Sequence, residues 1–321
     1  MSNPAISQPD ARSRAGSKKL IGLFTVSDRT HRILTQLGTR PTSVMGLVLL
    51  VFFIGVAVAA PVLAPPRDQA DPFMIPHEGY SPEPHLPSAE HIFGTSDNQY
   101  DVFYGIVWGT RTAFMVGLIV TATAMLIGIT IGTVAGYYGG WIDDLLMRAV
   151  EIIMAFPFLL AAITLAAVLL GHMGRGIVAG MIALAAFGWP TYSRLIRAEI
   201  LTLKQRDFVT AARAIGASDL WIVLRHVLPN AIFPTLVYAS LDIGSYVIGF
   251  AALSFLGLGA EPGYADWGQM ISYARNWIPS LDKYPHIVLY PGLAILLFVM
   301  AWNLIGDALR DIVDPRLSGT R

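Results

Sequence analysis

The stretch Asp207-Phe-Val-Thr-Ala-Ala-Arg-Ala-Ile-Gly-Ala-Ser-Asp-Leu-Trp-Ile-Val-Leu-Arg-His-Val-Leu-Pro-Asn230 stands between long apolar runs and carries Arg213, Asp219, Arg225 and His226. It is too charged to cross a membrane and too patterned for a loose linker. Ala211, Ala212 and Ala214 favour a short helix, and Gly216 can take the left-handed conformation that ends one. Ser218 can cap a second helix, and Asp219 would then sit in its first turn, at the positive end of the dipole. Pro229 cannot donate to a helical ladder and marks the expected stop. The reading is helix, glycine turn, helix.

What surrounds this island is apolar. The chain has 321 residues, 54% of them hydrophobic, and a mean hydropathy of +0.56, well above the balance of soluble domains. A polytopic membrane protein is implied. The formal net charge is +0, which leaves no footprint for nucleic acid, and the absence of cysteine excludes disulfides, thiol nucleophiles and cysteine-ligated metals.

Residues 1–41 are polar and basic, with Arg12, Arg14, Lys18, Lys19, Arg29, Arg32 and Arg40 against Asp10 and Asp28, and read as a cytoplasmic tail. Residues 42–64 carry no charge and are long enough to span a bilayer as the first membrane helix. From 65 to 112 the balance turns acidic and proline-rich, the reversal expected of an extracytoplasmic loop and its lead-in. Four more spans, at 113–136, 148–170, 177–192 and 231–256, and a sixth at 288–305, complete a core over 113–309, with a second cytoplasmic tail at 310–321. Basic residues gather on the tails and the island, whereas Arg67, Arg175, Arg275 and Lys283 fall outside, so both termini are expected in the cytoplasm.

Three details refine this plan. Gly128, Gly132 and Gly136 fall on one helical face, a pattern for close packing in lipid. Pro157 is expected to kink the third span, and the phrase around Asp143 and Asp144 to form a short loop. Asp242 lies inside the fifth span, where a charge costs ~2.5 to 3.5 kcal/mol on insertion scales. It either lines a transport path or is hydrogen-bonded within the bundle.

The chemistry of an enzyme is missing. None of Lys18, Lys19, Lys204 and Lys283 follows a glycine, so there is no phosphate-binding loop, and neither H-E-x-x-H nor G-x-S-x-G occurs. His172, His226 and His286 are isolated and read as surface residues. A secondary transporter with a midplane carboxylate is the rival class.

At Ala211, Ala212, Gly216, Leu228 and Pro229 the island resembles the E-A-A-x3-G-x9-I-x-L-P loop of ABC importer permeases, with Thr210 in place of Glu and His226 in place of Ile. His91-Ile-Phe-Gly-Thr-Ser-Asp-Asn-Gln-Tyr-Asp-Val is similar to the H-P-x-G-T-D-x-x-G-R-D-V phrase of the peptide branch, with Ser96, Gln99 and Tyr100 departing from it. Ser254-Phe-Leu-Gly-Leu-Gly, Asp266-Trp-Gly-Gln-Met and Gly306-Asp-Ala-Leu-Arg-Asp-Ile-Val-Asp-Pro-Arg resemble further signatures of that branch, while Phe250 stands where many relatives carry Glu.

The resemblance implies an all-α integral membrane protein, a six-helix bundle of the type I importer kind, similar to the C-type permease of oligopeptide and dipeptide systems. It implies no catalysis and no cofactor in this chain, with ATP and magnesium held by two separate ATPase subunits. A second permease and an extracytoplasmic binding protein would be the other partners, in a bacterial or archaeal cytoplasmic membrane. Thr210, Ala211, Ala212, Arg213, Gly216, Asp219, Leu228 and Pro229 would couple to the ATPase. Peptides are the family's usual cargo, and near relatives carry nickel, glycosides or other solutes.

Overall fold

The structure, a computed structural model, describes residues 40–313 apart from 69, 78, 80, 82 and 175. Most of the two expected tails therefore lies outside the described residues, as do Arg175 and the end of the C-terminal phrase. Among the described residues there are helices and three isolated β-bridges, and no strand. In chain order the helices are α1 (Pro41–Leu63), α2 (Val102–Tyr138), α3 (Gly140–Met154), α4 (Phe158–Met173), α5 (Ile177–Leu203) and α6 (Asp207–Ala214), followed by α7 (Asp219–Phe255), α8 (Trp267–Tyr273) and α9 (His286–Val313).

Among the described residues four helices, α1, α2, α7 and α9, are long and apolar enough to cross a membrane, and α3 with α4 makes a fifth if that bent pair is one span. The expected fourth span occupies the first half of α5. It does not reach the same length and apolarity, because its apolar run gives way to Trp189-Pro-Thr-Tyr and then to Arg194 and Arg197.

Several expected boundaries shift. Helix α2 begins at Val102 rather than near 113, because Asp101 caps it by accepting from the Tyr104 amide at 2.8 Å. Its 37 residues make it roughly 55 Å long, well beyond a ~30 Å hydrocarbon core. The segment holding Asp143 and Asp144 is the amphipathic helix α3 and not a loop. Where a kink was expected at Pro157, the chain turns by 84° between α3 and α4. Proline cannot continue the ladder, and it also disfavours a helical conformation at the residue before it.

Helices α2 and α5 meet along the glycine ladder. A side chain at Gly128 would lie 2.4 Å from Tyr192 Cβ and one at Gly132 2.2 Å from the Ser193 carbonyl oxygen, so the backbones touch where no Cβ intervenes. Arg197 on α5 forms a bidentate pair with Asp143 on α3, at 2.5 and 2.6 Å. Three apolar clusters stack along the bundle. Phe53, Trp108, Trp267 and Phe298 fill one end. Tyr192, Phe250 and Leu253 fill the middle, and Tyr137, Ile196, Ile200, Ile222 and Val227 fill the other end.

The acidic, proline-rich segment folds as a cap over the first of these ends. The Ile75 amide donates to the Gly263 carbonyl and the Ala265 amide to the Phe73 carbonyl, both at 2.8 Å. Within the cap, Thr95 Oγ1 accepts from the His85 amide (2.8 Å) and donates to Gln99 Oε1 (2.9 Å), while Gln99 Nε2 donates to the Glu83 carbonyl (2.8 Å). His286 is buried beneath it with Nε2 3.0 Å from the Thr95 carbonyl oxygen, not on the surface as its isolation suggested.

Candidate coupling hairpin and membrane cleft

The island folds as a tight hairpin at the end opposite the cap. Helix α6 closes in a Schellman arrangement: the Gly216 amide donates to the Arg213 carbonyl (3.0 Å), the Ala217 amide to the Ala212 carbonyl (3.1 Å), and Gly216 has φ +81°. Ser218 then caps α7, accepting from the Trp221 amide, with Asp219 in the first turn. Pro229 does not stop this helix. Residues Val223–Val227 widen into a π-helical turn in which the Leu228 amide reaches the Val223 carbonyl, and Asn230 Nδ2 donates to the His226 carbonyl at 2.6 Å. The widened register absorbs the proline, and the helix runs on to Phe255.

One face of the hairpin is anchored. Val209, Ala212, Ile222, Val223 and Val227 are buried against Ile196 and Ile200 of α5. Tyr137, at the end of α2, joins both arms: its hydroxyl donates to Asp219 Oδ1 at 2.6 Å and accepts from Arg213 Nη2 at 3.3 Å, with the Arg213 guanidinium 5.5 Å from the ring centre. That hydrogen bond to Tyr137 is the main influence holding the Arg213 pKa above its ordinary value. Lys204 Nζ donates to the Gly136 carbonyl at 2.7 Å, placing a cation at the negative end of α2.

The other face is open and apolar. Ile215 is 82% exposed, Leu220 66%, Leu224 57% and Trp221 47%. Exposed apolar side chains also occur on the long apolar helices, on α3 and singly in the cap, whereas these four stand together among Arg213, Asp219 and Arg225, which do not belong in hydrocarbon. Of the residues singled out from sequence, Thr210, Ala211, Arg213, Gly216, Asp219 and Pro229 are exposed, Leu228 is half-buried and Ala212 is buried. Ala212 thus packs α6 onto the bundle. Sequence reasoning did not single out Tyr137 or the four open apolar residues; the apolar positions left over after assigning the buried face were the available signal.

A second feature lies further along α7. Asp242 borders a cleft of about 420 Å³ walled by α5, α7 and the break between α3 and α4, which contributes Phe156 and Pro157. The Tyr192 hydroxyl donates to Asp242 Oδ2 at 2.8 Å. A side chain at Gly188 would lie 2.0 Å from the Tyr246 hydroxyl, so glycine there leaves that ring its place in the lining. Asp242 is therefore both hydrogen-bonded in the bundle and part of a cleft wall.

Under the cap, Asp266 is a buried carboxylate at the N-terminus of α8, where Oδ2 accepts from the Gln269 amide at 2.8 Å. Burial pushes its pKa up to about 6, against the pull of the Gln269, Ser254 and Gly268 hydrogen bonds.

A family model described as binding-protein-dependent transport system inner membrane component matches residues 128–319. The dipeptide transport system permease protein DppC of Alkalihalophilus pseudofirmus is 38% identical over 296 residues, covering 92% of this chain and 92% of that protein. The glutathione transport system permease protein GsiD of Pectobacterium atrosepticum is 41% identical over 231 residues, 72% of this chain and 74% of its own length. Among solved structures, an inward-facing conformation of the MetNI methionine ABC transporter aligns with a TM-score of 0.53 at 20% identity, covering 66% of this chain and 98% of that one. That likeness assigns the helical fold.

Proposed function

This chain belongs to the family of binding-protein-dependent transport system inner membrane components, and from that premise we propose that it forms half of the translocation path of an ATP-driven importer of di- or oligopeptides. The dipeptide and glutathione permeases among its relatives support a peptide cargo. Its partners in this reading are a second, similar permease, two ATPase subunits that hold ATP and magnesium, and an extracytoplasmic binding protein. The bundle crosses the membrane six times, with α5 as the fourth span, the hairpin and both termini in the cytoplasm and the cap outside, an orientation that the basic residues favour.

The open apolar face of a hairpin whose other face is fastened to α2 and α5 carries this reading. Such a surface suits a protein partner. The ATPase docks on Ile215, Leu220, Trp221 and Leu224, and its closure pushes the hairpin as a rigid unit. Because α7 runs from Asp219 through the π turn to Phe255 as one helix, the push reaches Asp242 and the cleft along its axis.

Gly216 offers the direct test. A side chain there meets nothing within 4 Å, so substitution acts through backbone strain alone, by roughly 1 to 3 kcal/mol. Gly216→Val is expected to insert normally and to lose ATPase-coupled uptake in the reconstituted complex. Wild-type uptake would remove the turn from the mechanism, and peptide uptake by this chain alone, driven by an ion gradient, would replace the importer with a secondary transporter.

A further inference from the structure

Asp242 places a carboxyl group inside a long apolar helix, and the residues around it offer hydrogen bonds and no cation. The Tyr192 hydroxyl donates to Oδ2, and the Tyr246 hydroxyl is close enough to the carboxylate to stabilise it as well. Both donors are uncharged, and a carboxylate has about four acceptor sites. Among the described residues lining the cleft there is no Lys, Arg or His. Arg194 and Arg197 line a separate polar depression with Asp144 and Glu151. Intramembrane carboxylates are otherwise paired or functional, and a cation entering the cleft meets this one with no charged side chain of the lining already paired to it.

The walls favour an organic cation. Phe156, Phe158, Phe187 and Tyr238 border the same space, and aromatic faces attract an ammonium group. A volume of about 420 Å³ lies within the range of small-molecule sites.

We propose that Asp242, held by Tyr192 and Tyr246, receives the free α-ammonium group of a peptide as it passes through the cleft. This rests on the peptide-importer reading and goes beyond it, since it gives the membrane subunit a chemical preference of its own. The preference is for a primary amine at the leading end of a small peptide. The aromatic walls accept varied side chains, and the carboxylate reads the one cationic group that every peptide with an unmodified N-terminus carries. Helix α7 bears both Asp242 and the docking hairpin, so the stroke that opens the path also moves the carboxylate.

The absence of cysteine from the chain makes this testable without the binding protein. Ser245 borders the cleft and is exposed, so Ser245→Cys places a single reporter thiol in it. In the detergent-solubilised complex with its partner permease and ATPases, the rate of maleimide labelling of this chain is measured with alanyl-alaninamide or its N-acetyl derivative, which differ only at the amine. Alanyl-alaninamide is expected to protect the thiol at concentrations at least about tenfold lower. Asp242→Asn in the same background removes that difference, and Asp242→Glu retains it.

Equal protection by the two peptides, or a difference that survives Asp242→Asn, overturns the proposal. So does protection by sodium chloride matching that of the amine, which would mark an inorganic cation site. If the Asn variant fails to assemble, the acetylated and free peptides still decide the matter in the Ser245→Cys chain. Uptake of alanyl-alanine by the complete reconstituted importer is scored separately: its absence strikes the importer reading, and its presence beside equal protection strikes only the ammonium site.

Discussion

At the cap end Thr95, Ser96, Gln99, Asp266 and Gln269 are polar side chains buried out of reach of water, whereas at the hairpin end Ile215, Leu220, Trp221 and Leu224 are apolar and in the open. Each end reverses the usual placement of its residue types, and the reasons differ. The cap closes on its own chain, with the Thr95–Gln99–Glu83 hydrogen bonds and the pairing of Phe73 and Ile75 with residues 263–265. The hairpin joins its two arms on one side through Tyr137 and leaves Ile215, Leu220, Trp221 and Leu224 exposed on the other. Buried polar groups therefore mark the end that is held by its own chain, and the exposed apolar cluster the end at which the proposed ATPase docks.

The comparison breaks most severely where the two ends share a support. Gly132→Leu would place Cβ 2.2 Å from the Ser193 carbonyl oxygen and 2.4 Å from Ile196 Cγ2, a clash with backbone that no rotamer relieves. The expected cost is about 3 kcal/mol or more. Thermal unfolding in detergent should show both ends lost together.

The cap end alone is addressed by pH. The folded-state pKa of Asp266 lies above its ordinary value, at about 6. Its contribution is therefore fully present below the ordinary carboxylate range and is lost as pH rises through about 6. Between pH 4 and pH 7 the wild-type chain should lose thermal stability relative to Asp266→Asn, by on the order of 2 to 3 kcal/mol. A pH-independent difference between the two would show that the carboxylate is not held in this way.

Thr95→Val tests the same end by a smaller step. It leaves the His85 amide and Gln99 Oε1 without a partner, at about 1 to 3 kcal/mol. ATPase association should be unchanged. Leu220→Ser is the converse and has the smallest effect on stability, within about 0.5 kcal/mol as for other exposed sites. Co-purification of the ATPase should nevertheless fall. A destabilising Leu220→Ser with intact ATPase binding would reverse the assignment of the two ends.

The sequence carried those parts of the structure that depend on local chemistry. Gly216 at a positive φ, Ser218 as a cap and the Gly128, Gly132, Gly136 ladder follow from single residue properties at fixed spacing. What escaped it depends on tertiary support. Proline lacks a donor and so signals a stop at Pro229; the π turn that carries the helix past it is a matter of register in α7 as a whole. At Pro157 the sequence signals a break without its angle, which is 84°. The buried side of α6 was equally hidden, because Ala211 and Ala212 are alike in sequence while only Ala212 faces Ile196 and Ile200. Asp242 was legible as an unusual charge, but Tyr192, fifty residues earlier, could not be matched to it.

Covalent capture in membranes containing the complete importer tests the central claim most directly. With no other cysteine in this chain, Leu220→Cys reports the open face of the hairpin and Ala89→Cys an exposed position in the cap. Treated with a short bifunctional thiol reagent, Leu220→Cys is expected to yield an adduct with the ATPase subunit. Ala89→Cys should yield none, yet react with an impermeant thiol label from the outer side. An ATPase adduct from Ala89→Cys, or none from Leu220→Cys in an intact complex, would contradict the assignment of the hairpin as the docking surface.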